Sequence, residues 1–570
     1  MPAEPALRPD RAAAGEVLPG AAGPRAWIAG AAIAAAGFAS YFPTLRAGFV
    51  FDDHLLLGDG ALVRGPLGRL WFSTAPTDWW PLTWTSFWIE HRLWGDAPLG
   101  YHAVNVLLHV AAAILLWRAL RALAVPGAWL AGLLFALHPV AVESVAWVSE
   151  RKNVLSGALF LGAILAWIRF DGGARRRWAV LSWALHLLAL LAKTSAVMLP
   201  FVLLGIAAWR RDRVARRDVL RSLPFLALSL ALGAVTAWFQ WTRAMPHVVA
   251  PRSVAERVGG AAWALLSYLQ KAFVPVGLAF VYPDWPVRPG SAVFWVPLAA
   301  VLLLAALLWW QRRGPGRPVA FAVAYHALMV LPILGLVDMS YLHVGPVSNH
   351  LQYLALMGPV ALVAGGLATL AGGRWRVPAA ALAAALVAWL GAATWRRAAS
   401  FESDLTLWSA AARDAPGSLY AAWMYADQLG LAGRYAESLA ELSAFADRAP
   451  DEASRRRARA AWLFKSGQPG AALEEALAAE RIRPDPNFAA EMGQLLARSG
   501  HPGPAIELLA PVLRREPRAG NARYWLAASL ARVGRDAEAA EVLREGLRID
   551  PGDQRLREAL EVTVRRTGGR

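Results

Sequence analysis

The sequence predicts an all-α protein in two parts, a polytopic helical membrane domain followed by a helical solenoid. Three observations carry this reading. The chain of 570 residues is 57% hydrophobic and only 17% charged, with a mean hydropathy of +0.37. A water-soluble chain of this size carries more charge. Apolar segments of the length needed to cross a bilayer, about 20 residues, recur from about residue 26 to about residue 395. The remainder is rich in Ala, Arg, Glu and Pro and repeats with a fixed period.

The expected division is a disordered Pro- and Ala-rich N-terminus over 1–25, a transmembrane domain over 26–398 and a repeat domain over 399–570. The first apolar run exceeds the roughly 7–15 residues of a signal-peptide core, so it reads as a retained span. About eleven spans are expected, near 26–45, 102–120, 128–142, 154–170, 178–193, 195–209, 222–240, 293–310, 319–336, 351–371 and 377–395. Arginines cluster between them at 118–121, 175–177, 210–221, 312–317 and 374–376. The positive-inside rule puts such clusters on the cytoplasmic side. The long loop 46–101, the loops 143–153, 241–292 and 337–350, and everything after 396 then face out. Residues 261–281 are apolar but interrupted by Lys271, Pro275 and Gly277. They are expected to be re-entrant or to lie against the outer face, beside protein or a watery cavity.

The second part is periodic. Pro416, Pro450, Pro484, Pro517 and Pro551 are spaced by 34, 34, 33 and 34 residues, and Gly433, Gly467, Gly500 and Gly534 each fall 17 residues before a Pro. The Gly suits a tight turn after one helix, and the Pro stops the next. Ser438, Ala472, Ala505 and Ala539 follow each Gly by five residues, small side chains where two helices approach closely. This is the period of tetratricopeptide repeats. Their stacked helix pairs form a solenoid whose concave face binds protein or peptide.

Composition also excludes. The net charge of +17 lies mostly in short loops, with no basic stripe interleaved with aromatics, so nucleic acid is not an expected partner. The absence of Cys rules out disulfides, thiolate metal sites and Cys nucleophiles. No phosphate-binding Gly-rich loop, H-E-x-x-H or G-x-S-x-G occurs.

Candidate chemistry begins at Asp52 and Asp53, adjacent carboxylates just outside the first apolar run, followed by His54. Two acids at the mouth of a first span suggest a site at the water–lipid boundary. Partial burial raises a carboxylate's pKa and its usefulness as a base. Asp52 reads as the base, with Asp53 as its partner or as a ligand for acceptor or metal; the pair could bind a divalent cation through oxygen. The bland alternative is a loop turn in which Asp53 caps a short helix.

Several runs match a known family: FVFDDH (49–54), WWPLTWTSFWIEHRLWG (79–95), GYHAVNVLLH (100–109), ALHPVAVESVAWVSERKNVLSG (136–157), LAKTSAVMLP (191–200), FVYPDW (280–285), LQYLALMG (351–358) and FESDLTLW (401–408). With the repeats after them, the chain resembles the transmembrane and tetratricopeptide-repeat O-mannosyltransferase-like proteins, bacterial relatives included, within the GT-C class of glycosyltransferases. It departs from many relatives at Ala141 and at Asn349-His350-Leu351. The resemblance implies a periplasmic or lumenal active site, a polyprenyl-phosphate-linked sugar as donor, inversion at the sugar carbon, and an acidic catalytic base in the first outer loop, here Asp52 or Asp53. A bacterial inner-membrane location follows as an expectation, with the active-site loop and the repeats in the periplasm.

A lipid-phosphate leaving group needs positive charge or N–H donors. Arg151 and Lys152, on an outer loop beside a span, and Lys193 and His350, at outer span ends, are the candidate contacts, with His54 and His138 as further substrate-binding candidates. Glu143, close to His138 in sequence, could orient a ligand or pair with Arg151, because an acid near a span end is costly without a partner. Trp80 belongs to a Trp-rich first loop suited to sugar stacking or to the membrane interface. His102, Asn105 and His109 share one face of the second span; a metal site is the alternative, but they read as interhelical hydrogen bonders. The expected activity is transfer of a sugar, with mannose as the candidate, to a hydroxyl of a protein or other periplasmic acceptor recruited by the repeats. The rival reading is a non-enzymatic membrane scaffold, which one anchoring helix would serve; a lipid-sugar transporter would show repeated halves and mid-membrane charges.

Overall fold

The computed structural model describes residues 24–58, 62–74, 78–244, 252–283, 285, 289–449 and 451–568. Residues 1–23, expected to be disordered, lie outside the described residues. Every regular element among the described residues is helical. Helical segments overlap every expected span, but 128–142 is two helices and 195–209 is a 3-10 turn, Thr194–Met198, followed by the short helix Leu199–Arg211. Five, Pro98–Ala122, Val148–Asp171, Arg216–Ala244, Ala292–Gln311 and Arg376–Ala399, are long and apolar enough to cross a membrane by themselves. Ala128–Ala136 and Pro139–Ala146 form a sixth if taken together, bent by 47° at His138 and its neighbour. The apolar helices Arg25–Ser40, Arg177–Ala192, Arg317–Ile333 and Met357–Ala371 are shorter. This is a multi-pass membrane protein.

The segment at 261–281 is not one element. Val254–Phe273 is a helix opened by a capping box between Ser253 and Glu256. The chain then leaves the helix through Pro275 and Gly277, whose φ is +58°. Tyr268 on this helix accepts the Ser348 N–H at 3.2 Å, which ties it to the loop before His350.

The membrane helices have two chemically distinct ends. At one, Asp171 accepts from Arg210 at 2.8 Å and from Arg211, which also reaches Asp218 at 2.8 Å. Arg317 meets Asp212 at 2.7 Å there and donates to the Trp209 carbonyl. At the other end lie Asp52, Glu150, Lys152 and Lys193. Polar side chains bind the helices between these ends: His102 contacts the Gly48 carbonyl, Asn105 donates to the Val145 and Trp147 carbonyls, and His109 meets the Tyr353 hydroxyl at 2.9 Å.

Past Asp404–Asp414 the chain folds as antiparallel helix pairs: Leu419–Leu431 with Tyr435–Arg448, Glu452–Lys465 with Pro469–Ile482, Pro486–Arg498 with Pro502–Arg515, and Gly520–Arg532 with Asp536–Ile549. Between the helices of each pair the turn glycine adopts positive φ, +75° at Gly433, +77° at Gly467, +85° at Gly500 and +78° at Gly534. Ser438, Ala472, Ala505 and Ala539 are all buried, as small residues at close helix crossings must be. The Ser438 hydroxyl also donates to the Ala426 carbonyl.

The solenoid is rooted in the membrane domain. Trp408 and Phe401 are buried in the same core as Val50 and Phe280. The Phe51 ring lies 5.2 Å from that of Trp408. Gly48 donates to the Glu402 carbonyl at 3.0 Å. Far along the chain, Arg243 reaches the Gly552 carbonyl, so the solenoid touches the membrane domain again near its other end.

Candidate functional site

The loop carrying the two aspartates is shaped by Phe51, whose φ is +51°. A bulky residue in the left-handed region is strained. Here its N–H donates to Asp404 at 2.8 Å and its ring packs against Trp147, Phe280 and Trp408. The turn sends the two carboxylates apart. Asp53 points inward and is fully buried: Oδ2 accepts the Val50 N–H at 3.1 Å, and Oδ1 accepts the Ser149 N–H at 2.7 Å and the Ser149 hydroxyl. Burial pushes its pKa up to about 7, against the pull of those hydrogen bonds.

Asp52 is half-buried and its carboxylate accepts no hydrogen bond from any described residue. Burial raises its pKa. Lys152 and His350, both within electrostatic reach, pull it down, and Glu150 pushes it up. It is therefore the open carboxylate of the pair.

Glu150 organises the cations beside it. Its Oε1 lies 2.6 Å from Lys152 Nζ and its Oε2 lies 3.3 Å from Lys193 Nζ. Asn153 donates to Oε2 at 2.5 Å. Two ammonium groups thus share one buried glutamate. Lys152 stands 4.4 Å from the centroid of the Trp80 ring, a cation–π contact. Asp78, held by the Gln240 amide at 2.7 Å, is within electrostatic reach of both lysines; burial raises its pKa.

His350 stands between two buried acids. Its Nδ1 is 3.4 Å from Glu143 and 2.7 Å from the Ser348 hydroxyl, and its Nε2 is 3.9 Å from Glu150. Glu143 is paired, as an acid in this position must be, but its partner is Arg397 at 2.6 Å, with Asn349 donating at 2.6 Å. Arg151 is therefore not its partner. The Arg151 guanidinium is fully buried and forks onto Glu90, with its other N–H groups on Asn105 and the Tyr101 carbonyl. Every arm of it is used within the fold.

The structure brings Asp52, Lys152, Lys193, His350, Glu143 and Trp80 to one end of the helices and leaves others aside. His138 is buried and caps the turn Pro139–Ala141 through its own Nδ1. His54 is exposed and meets Asp404 at 2.7 Å, a strap to the helix Asp404–Asp414 that precedes the solenoid pairs. A divalent cation does not fit the Asp52–Asp53 pair, because both Asp53 oxygens are taken by internal donors. Among the described residues no group of three or more His, Asp or Glu gathers to hold one. Sequence reasoning missed Glu150, Glu90, Asp78, Arg397 and Asp404. Glu150 directly precedes Arg151 and Lys152, and an acid beside two outer-loop cations was the available signal.

A cavity of about 710 Å³ lies elsewhere among the membrane helices and is lined by none of these residues. The acid–lysine cluster, with its open carboxylate, is the stronger candidate for chemistry. Tyr420, on the first helix of the solenoid pairs, is within electrostatic reach of Asp52 and of Glu491, so the repeats overlook the cluster.

Fold and site together define a multi-pass membrane protein with a tetratricopeptide-repeat solenoid at the end that carries its acid–lysine cluster. Residues 491–554 match a family model described as tetratricopeptide repeat. The chain is 36% identical over 183 residues, 29% of its length and 21% of the relative's, to protein O-mannosyl-transferase Tmtc1 of Drosophila melanogaster. It is 33% identical over 165 residues, 25% of its length and 19% of the relative's, to protein O-mannosyl-transferase TMTC2 of Mus musculus. Over those segments it is similar to curated protein O-mannosyl-transferases, and it spans about a fifth of the length of the curated relatives it matches. Among solved structures, the arabinofuranosyltransferase AftD from Mycobacteria aligns over 67% of this chain and 27% of its own, with 19% identity and a TM-score of 0.36. The P58(IPK) tetratricopeptide-repeat domain aligns over 71% of this chain and 97% of its own, with 14% identity and a TM-score of 0.16. At these scores neither structure carries weight for fold or chemistry.

Proposed function

We propose that this chain is an integral-membrane glycosyltransferase of the GT-C kind. It moves a sugar, mannose by analogy with its relatives' names, from a polyprenyl phosphate to a hydroxyl of a protein or other acceptor. The observation that carries the reading is the open Asp52 carboxylate beside two lysines that share one glutamate, at the end of the membrane helices. Asp52 takes the acceptor hydroxyl's proton as its oxygen bonds to the anomeric carbon. The bond from that carbon to the phosphate oxygen breaks, and its electron pair leaves with the lipid phosphate. Lys152 and Lys193, joined by His350, stabilise the charge that builds on that oxygen. Attack from the face opposite the leaving group inverts the sugar carbon.

Asp53 acts as a positioning residue, tying the base's loop to Ser149. Trp80 stands beside Lys152, where a sugar ring could stack. The solenoid, reaching Asp52 through Tyr420, holds the acceptor over the cluster. The arginine end faces the cytosol under the positive-inside rule. In a bacterial inner membrane that sets the cluster and the repeats in the periplasm.

The test is incubation of the purified protein with radiolabelled polyprenyl-phosphate sugars and a periplasmic extract. Label transferred to a macromolecule supports the reading. No transfer from any donor, with an intact fold, would favour the scaffold.

A further inference from the structure

We propose that the cavity among the helices Pro98–Ala122, Arg151–Asp171, Leu199–Arg211, Arg317–Val330 and Met357–Ala371 holds an acyl chain of an anionic phospholipid whose headgroup sits at the arginine end. The inference is independent of the proposed reaction. The cavity measures about 710 Å³ and is open to its surroundings on one side, which leaves an apolar chain a way in. A dry apolar cavity of about 150 Å³ already takes up benzene. A larger one among membrane helices fills from the hydrocarbon around it.

Its lining fits hydrocarbon and nothing polar. Leu116, Ile164, Phe201, Ile206, Phe321 and Leu328 contribute, and no Asp, Glu, His, Lys or Arg does. Polar groups occur on Trp209, Tyr325 and Thr369, and each gives its hydrogen to a backbone carbonyl, of Leu123, Leu354 and Gly365 respectively. No donor is left for a sugar or a nucleotide.

The headgroup's side follows from charge. Arg121 is exposed and lies between the lining residues Leu120 and Leu123. Arg374 is exposed just past the lining residue Leu370. Neither has a carboxylate partner among the described residues. Both stand near the arginine end, where a lipid phosphate needs positive charge. The occupant is not a sugar donor placed for Asp52. None of Asp52, Glu150, Lys152, Lys193 and His350 lines the cavity. The 21-residue helix Arg151–Asp171, at about 1.5 Å per residue, sets the two ends about 30 Å apart.

Two glycines make the site testable. Gly205 and Gly366 line the cavity, and a Cβ on either would meet nothing within 4 Å. Gly205→Leu with Gly366→Leu therefore starts from open space at the Cβ, puts apolar volume into the cavity and improves helix propensity. The full-length protein is purified, delipidated, offered phosphatidylglycerol, phosphatidylcholine with the same chains, or polyprenyl phosphate, and examined by native mass spectrometry. The wild-type protein retains one phosphatidylglycerol in preference to the other two. Occupancy falls about tenfold in the filled variant, through lost apolar burial. Arg121→Gln with Arg374→Gln binds phosphatidylglycerol and phosphatidylcholine equally. Circular dichroism checks the fold; if the double glycine variant loses helix, Gly366→Leu alone is read. Unchanged occupancy in the filled variant, retention of no lipid, or retention of polyprenyl phosphate alone overturns the proposal.

Discussion

Asp52 and Asp53 are neighbours in sequence that face opposite surroundings. Asp53 is sealed against Val50 and Ser149, while Asp52 keeps its carboxylate free beside Lys152 and His350. The left-handed turn at Phe51 separates them. One acid builds the loop, and the other is available for chemistry.

Asp53 makes stability depend on pH. Its folded pKa, about 7, stands above the ordinary 3.8, so the folded state holds the proton more tightly. The stabilisation is complete below about pH 3.8 and is lost as pH rises through about 7, each pKa unit being worth about 1.4 kcal/mol. Thermal unfolding between pH 5 and pH 8 should show a decline in the wild-type protein. Asp53→Asn should lack that component, and equal slopes would refute the assignment.

Arg151 and Lys152 should part company on substitution. Arg151→Met leaves Glu90 buried and unpaired, a loss of about 3–5 kcal/mol, read as a lower melting temperature. Lys152→Met leaves Glu150 with Lys193 and Asn153, so the fold should survive. Its kcat should fall about 100-fold or more, because the charge it meets builds only in the transition state. The transfer rate of the folded variant at saturating donor checks this.

Burial of Asp52 predicts that the acid limb of kcat/KM lies above the ordinary carboxylate range, because the base must be ionised. Lys152 holds that pKa down. Lys152→Met should therefore move the limb to higher pH. A limb that stays in place would show that another group titrates.

In the solenoid, Gly500 turns with φ +85°. Gly500→Ala should cost about 1 kcal/mol through backbone strain. The same change at Gly503, inside a helix with open space around its Cβ, should be neutral or stabilising. Unfolding of the two variants side by side checks the contrast.

Much of this architecture was legible in the sequence because it rests on local rules. The 34-residue spacing of Pro and the offset Gly fixed the helix pairs, turn by turn. Apolar runs and arginine clusters marked the membrane helices and their common end. The partners were not legible. Glu143 meets Arg397 across 254 residues, and Arg151 meets Glu90 across 61, because helix packing decides which buried charges face each other. Nor does sequence reveal that Phe51 turns left-handed. That strained backbone is held by Asp404, 353 residues away, and it decides which aspartate is free.

The most direct test of the account is the initial rate of sugar transfer by Asp52→Asn, measured with donor binding on the same preparation. The account predicts a fall of at least about 100-fold in rate, with donor affinity and melting temperature close to wild type. A variant that transfers sugar at the wild-type rate would contradict it.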